Sequence, residues 1–192
     1  EAINAEQVRA LGEEDFRDRL VPYLADAYPD PTGEALQAPL VSAESFDELS
    51  AREQEILNAA APLIQTRIQM LRECRDMLGF LFVSDAELTI DDKAVAKLKV
   101  SAGDVLDAGI HALEGLGPEQ WGRGQLEEAL SAAIVEGQGM PNGEGIKPRL
   151  AYGPLRVAVT GRQVSPPLFE SMEILGAGST LARLKALRAR LG

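Results

Sequence analysis

The stretch Pro154–Leu187, PLRVAVTGRQVSPPLFESMEILGAGSTLARLKAL, is where basic, apolar and helix-start signals converge. Pro154 can open a short helix, because a first-turn position has no intrahelical partner for the N–H that proline lacks. Gly161 can close it through a left-handed cap. Ser165 then offers a hydroxyl N-cap, with Pro166 at the first helical position and Leu168, Phe169, Met172 and Leu175 as an apolar stripe. Gly176 closes that helix, and Ser179 or Thr180 caps the last one, whose Arg183, Lys185, Arg188 and Arg190 are basic. Arg156 therefore stands nine residues ahead of a helix start with apolar side chains beside it. An uncovered helix N-terminus offers free N–H groups and partial positive charge, which suit phosphates and base acceptor edges. Unstacked bases need such donors together with flat apolar surfaces. On pattern alone the plainer reading is two capped helices joined by a turn.

Outward from this stretch the chain reads as helix after helix. Gln125–Glu136 has Leu126, Ala129, Leu130, Ala133 and Ile134 on one side. The Gly-rich loop after it, Gly137–Gly145, lacks the spacing and the Lys-Ser/Thr ending of a phosphate loop and takes no nucleotide role. Ser101–Leu116 and Asp91–Lys97 are predicted helices, the first with Ser101 and Asp104 as a near capping box. His111 reads as a structural or surface residue, without metal-ligand spacing around it, and Trp121 as a core anchor. Val83–Thr89 is the place for a domain boundary, dividing the chain into residues 1–84 and 85–192. Before it, Arg67–Phe82 is predicted as one helix with Met70, Leu71, Cys74, Leu78, Leu81 and Phe82 buried and Arg67, Arg72 and Arg75 riding on it. Arg67 would lie at its N-terminal end, where the helix dipole disfavours a cation, a hint of function. Ser50–Glu53 is a capping box opening a helix that Pro62 bends or ends. Glu13–Tyr28 and Ala5–Leu11, the latter capped by Asn4, are helices, and Pro29–Pro39 is a turn-rich connection.

Aromatics make up 5 % of the chain and long β-branched alternation is absent, so an all-α protein is expected, as two small helical bundles in tandem. The single Cys74 forms no internal disulfide and is expected as a reduced thiol, which fits a cytoplasmic protein. No apolar run approaches the roughly 20 residues of a membrane-spanning helix, and no signal-peptide pattern stands at the start. A chain beginning at Glu1 without Met is expected to be a piece of a longer protein. The net charge of −11 argues against non-specific nucleic-acid binding. From Lys147 onward, however, eight basic residues face only Glu170 and Glu173, a net +6 that leaves −17 on the rest. An acidic body with a basic end suits a protein that docks one face on phosphates, although a surface tuned for solubility reads the same way. No nucleophile–base pair, supported carboxylate pair or Gly-rich fingerprint is present, so an intact small enzyme finds no site.

The wording PLRVAVTGRQVSPPLFESMEILG followed by TLARLKAL resembles the C-terminal anticodon-binding region of bacterial glutamyl-tRNA synthetases. In that family a PLRVALTG segment, a variable turn, a Ser/Thr-Pro-x-Leu helix start and a final LG…RL helix follow one another in this order. Thr66–Phe82, TRIQMLRECRDMLGFLF, is similar to the same family's upstream ER…TL…FF helix, and Glu1–Leu11 to the segment following the catalytic half. The resemblance runs through the whole chain in order, most specific at the C-terminal motif and weakest between Ser84 and Gly145.

What the resemblance implies is specific. The fold would be the class I synthetase anticodon-binding type. The ATP and magnesium chemistry would belong to an N-terminal catalytic domain of the same polypeptide, whose HIGH-like and KMSKS-like motifs are absent from this sequence. The partner would be the anticodon loop of tRNA(Glu), bound by a monomer without any membrane. Arg67 matches the arginine that reads the third anticodon base at the junction of the subdomains. A guanidinium can bond two acceptors of a cytosine edge. Arg156 and Ser165 would make polar contacts to the first and second bases, with Pro166, Leu168 and Phe169 as an apolar platform. On periodicity Phe169 could equally point into the core. Arg183, Lys185 and Arg188 would touch phosphates, or merely favour a helix C-terminus. The competing class is an acidic all-α protein-interaction module with no RNA specificity.

Overall fold

The computed structural model describes residues 5–26 and 38–192, which are helical with no strand among them. The cap expected at Asn4, the helix end at Tyr28 and most of the Pro29–Pro39 connection lie outside these residues. The chain divides into two compact units, Glu1–Val83 and Ser84–Gly192.

In the first unit, α1 (Ala5–Ala10), α2 (Glu13–Ala25) and α3 (Ala51–Ile64) are followed by a short α4 (Cys74–Leu78) between two 3₁₀ turns. Their apolar faces meet in a core that includes Phe16, Leu20, Leu24, Leu57, Ile64 and Leu78. Ser50 opens α3 with a complete capping box. Its Oγ accepts from the Glu53 N–H at 3.3 Å, and the Glu53 carboxylate accepts from the Ser50 N–H at 2.8 Å. Helix α3 runs past Pro62 to Ile64.

The single helix expected over Arg67–Phe82 does not form. Glu73 turns its carboxylate back to accept from the N–H groups of Gln69 and Met70, at 3.2 and 3.1 Å, and starts a fresh turn there. Leu71–Glu73 and Gly79–Leu81 are 3₁₀, so Met77 and Phe80 join the buried set while Met70 is exposed. Arg75 is buried rather than displayed. Its Nη1 donates to the carbonyls of Tyr23, Leu24 and Asp26 at 2.9–3.1 Å, and its Nη2 donates to that of Ala38. These include carbonyls at the C-terminal end of α2, where intrahelical donors run out. Cys74 beside it is fully buried, and burial pushes its thiol up to about 12.

The second unit contains α5 (Asp92–Ala96), α6 (Ala102–Glu114), α7 (Arg123–Leu130), α8 (Pro148–Thr160), α9 (Leu168–Leu175) and α10 (Ala177–Leu191). Helix α6 packs against both α8 and α10, and α7 packs against α9. The helix predicted through Glu136 changes at Ser131 into a π-helical turn, Ser131–Val135. The Gly-rich loop folds back onto it: the Ile146 N–H donates to the Ile134 carbonyl at 3.2 Å. Gly145 makes this approach possible, because a Cβ there would stand 1.8 Å from the Val135 oxygen. Ser101 precedes α6 without any side-chain cap bond, so the near capping box expected there is not formed. Trp121 is half-buried and its Nε1 donates to the Met172 carbonyl at 3.0 Å, which ties the start of α7 to α9.

Candidate nucleic-acid interface

The C-terminal motif is built differently from its reading as two capped helices. Helix α8 starts at Pro148, not Pro154, because Ala151, Leu155, Ala158 and Val159 form one buried apolar side that begins before the motif. Pro148 takes the first-turn role and Pro154 sits inside the helix. Gly161 does close α8 in the left-handed region, at φ 76°. Ser165 does not cap α9, which starts at Leu168 after Pro167. Its hydroxyl is already committed: it donates to the Pro166 carbonyl at 2.7 Å and accepts from Arg156 Nη1 at 2.8 Å. The same Nη1 reaches the Pro166 carbonyl at 3.2 Å. Gly176 ends α9, its N–H donating to the Met172 carbonyl. Ser179 and Thr180 lie inside α10 rather than at its cap, and Thr180 Oγ is buried without a partner among the described residues.

Arg156 is thus braced by the turn between α8 and α9. It lines a groove of about 810 Å³ within the second unit, together with Lys97, Lys99, Arg149, Tyr152 and Gln163. Arg149, Tyr152 and Arg156 are spaced three and four apart on α8 and so share one face. No carboxylate lines the groove among the described residues. Tyr152 is half-buried. Its ring meets Phe169 edge-on, at 5.2 Å between centroids and 85° between planes. Partial burial raises the Tyr152 pKa above its ordinary value, which favours the neutral phenol.

Ser165, Pro166 and Leu168 are buried. Pro166 and Leu168 therefore offer no open platform here, and Ser165 positions Arg156. Phe169 is half-buried against Tyr152. The aromatic surface at the groove is Tyr152, which the motif alone did not single out, although its four-residue spacing from Arg156 is visible. That Lys97 and Lys99 meet this face depends on packing between α6 and α8, which carries no local signal.

Arg67 is exposed and lies in the turn after α3, its N–H donating to the Ile64 carbonyl at 2.8 Å. A cation just past a helix C-terminus is favoured by the dipole, so the conflict expected at a helix start is absent. The three basic residues expected at phosphates are engaged otherwise. Arg183 is buried, with Nε donating to Asp85 at 2.7 Å and Nη1 to the Val159 carbonyl at 2.9 Å. A guanidinium enclosed in this way cannot reach a phosphate. Lys185 pairs with Glu114 at 2.6 Å and Arg188 with Asp107 at 2.8 Å, both carboxylates on α6. Among the described residues no three His, Cys, Asp or Glu side chains gather as a metal site.

The family model of the anticodon binding domain matches residues 15–188. The chain belongs to the anticodon-binding domain family. The glutamate–tRNA ligase of Kineococcus radiotolerans is 50 % identical over 191 residues, covering 100 % of this chain and 34 % of the relative. That of Bifidobacterium longum is 48 % identical over 190 residues, covering 99 % and 34 %. The anticodon-binding domain matches the C-terminal part of these relatives and spans about a third of their length. Among solved structures, a glutamate tRNA ligase from Elizabethkingia meningosepticum superposes with a TM-score of 0.64 at 16 % identity, over 98 % of this chain and 31 % of that one. This last likeness concerns the fold alone. The interaction-module alternative finds no support in any of these comparisons.

Proposed function

We propose that this chain reads the anticodon loop of tRNA(Glu) as the C-terminal part of a glutamate–tRNA ligase. The catalytic domain that charges the tRNA would belong to the same polypeptide, acting as a cytoplasmic monomer. The observation that carries this reading is a carboxylate-free cationic groove, with Arg156 braced in it, on a chain of net charge −11. Positive charge gathered in a groove on an acidic chain lets the acidic surface repel unspecific RNA while a loop strand is admitted.

Arg156 would bond acceptor edges of the first two anticodon bases, with Ser165 and the Pro166 carbonyl holding its guanidinium in place. Phe169 and Tyr152 would lie beside the unstacked bases. Arg67, exposed on the first unit, would read the third base.

The test is binding of this chain to anticodon stem-loops ending in C and in G, at two salt concentrations. Preference for the C form with affinity falling at higher salt is expected. Arg156→Ala should weaken binding of both loops with circular dichroism unchanged. Arg67→Gln should chiefly lower the C-over-G preference by about 10-fold, within the ~1–3 kcal/mol of one bidentate base contact. Equal loss on both loops would make Arg67 a phosphate or packing residue instead.

A further inference from the structure

The groove holds more positive charge than base reading by Arg156 requires. Lys97 and Lys99 flank the end of α5, Arg149 stands in the first turn of α8, and all three are exposed. Lys97 Nζ lies 3.4 Å from Gln163 Oε1 across the groove, so this wall also carries a neutral hydrogen-bonding group. The second unit holds 12 basic residues against 14 acidic ones, so four cations around one carboxylate-free groove is a local excess that overall composition does not produce. By contrast the α10 cations are matched: Arg183, Lys185, Arg188 and Arg190 each face a carboxylate, Asp85, Glu114, Asp107 and Asp92 in turn. Lys97, Lys99 and Arg149 stand in no ion pair among the described residues, and like charges held together in this way repel one another, a cost that a bound polyanion relieves. The groove's volume falls in the range of sites that enclose a small-molecule-sized ligand. Tyr152, held edge-on against Phe169, supplies an aromatic ring between the cations. A cationic groove with a fixed aromatic ring is the arrangement that follows a single strand, phosphates on the charges and a base on the ring.

We propose that Lys97, Lys99 and Arg149 form a phosphate track that carries the RNA strand past Arg156, and that Tyr152 stacks one of its bases. This rests on the anticodon-reading function above and adds contacts that are blind to sequence. Such contacts differ from those of Arg156 and Arg67 in a measurable way. Phosphate contacts release counterions and set the slope of log K against log[salt], whereas base contacts set the preference among loops.

The experiment is a fluorescence-anisotropy titration of labelled C-ending and G-ending stem-loops over a series of salt concentrations. It compares the chain itself with Lys97→Ala/Lys99→Ala, Tyr152→Leu and, as a control outside the groove, Lys93→Ala. The double lysine variant should bind both loops more weakly by the same factor, with a salt slope shallower by about 1.4, at ~0.7 per phosphate contact for a single strand. Tyr152→Leu should weaken binding about 10-fold with an unchanged slope, the scale of one lost base–aromatic stack. Lys93→Ala should change neither quantity. Salt-dependent binding by the unmodified chain, with affinity and slope unaltered in the double variant, would overturn the track and leave the anticodon reading intact. No binding of either loop even at the lowest salt would remove both.

Discussion

A guanidinium with a side chain only 2 % exposed has to find its counter-charge inside the fold, and Arg183 finds it in Asp85 and the Val159 carbonyl. Asp85 is about a third exposed and can be rehydrated, whereas Arg183 cannot. Removing Asp85 is therefore the more damaging change. Asp85→Ala should cost about 3 kcal/mol, the lower end of the range for breaking a buried ion pair, because Arg183 keeps the Val159 carbonyl, read as a lower urea midpoint. A phosphate role for Arg183 would appear instead as RNA affinity lost from Arg183→Lys without loss of stability. Lys185 shows the exposed version of the same pairing. Its hydrogen bond and then its charge hold the Glu114 carboxyl below the usual carboxylate range. Because the folded value is depressed, any stability from the pair is present above the ordinary carboxylate pKa and is lost as pH falls through the folded value. Lys185→Ala should let Glu114 titrate at higher pH, measured by the carbon chemical shift of its carboxyl group. An unmoved titration would show that the pair does not persist in solution.

At the scale of elements, the turn after α8 depends on one backbone conformation. Gly161 has φ 76°, and a Cβ there would come 2.3 Å from the Thr89 oxygen, while its own carbonyl accepts from the Asp91 N–H at 2.9 Å. Gly161→Ala combines a left-handed penalty of about 1–2 kcal/mol with that clash. It should lower Tm by roughly 5 °C or more, at ~2–4 °C per kcal/mol for a chain of this size. An unchanged Tm would mean that Thr89 moves away freely. The Gly161 cap was legible in the sequence because a helix end followed by glycine is a local signal, and so was the Ser50 capping box. Arg67–Phe82 was misread for a physical reason. Apolar residues at helical spacing also suit a 3₁₀–α–3₁₀ run, and what breaks the helix is Glu73 turning back and Arg75 serving the distant end of α2. The same error placed Arg67 at a helix start instead of after one. Ser165 was misread as a cap because nothing in its own neighbourhood shows that Arg156 has claimed the hydroxyl.

On the scale of the molecule, charge counted along the chain and charge displayed on the surface differ. The basic tail from Lys147 spends at least four of its eight cations on carboxylates of the acidic body. The positive surface arises instead where Lys97 and Lys99, from outside that tail, meet Arg149 and Arg156. Fold class and family were legible because helix signals are local and the C-terminal motif is contiguous. The groove was not, because half of its cations arrive through tertiary packing. The central claim is that RNA is read at this groove and not along α10. The most direct measurement is a ¹⁵N-HSQC titration of the chain with the tRNA(Glu) anticodon stem-loop. The expected result is shift changes concentrated at residues 97–101, 147–156 and 163–169 and around Arg67, with the exposed face of α10 around Lys185 unmoved. Shifts centred on α10, or none at stem-loop saturation, would contradict the account.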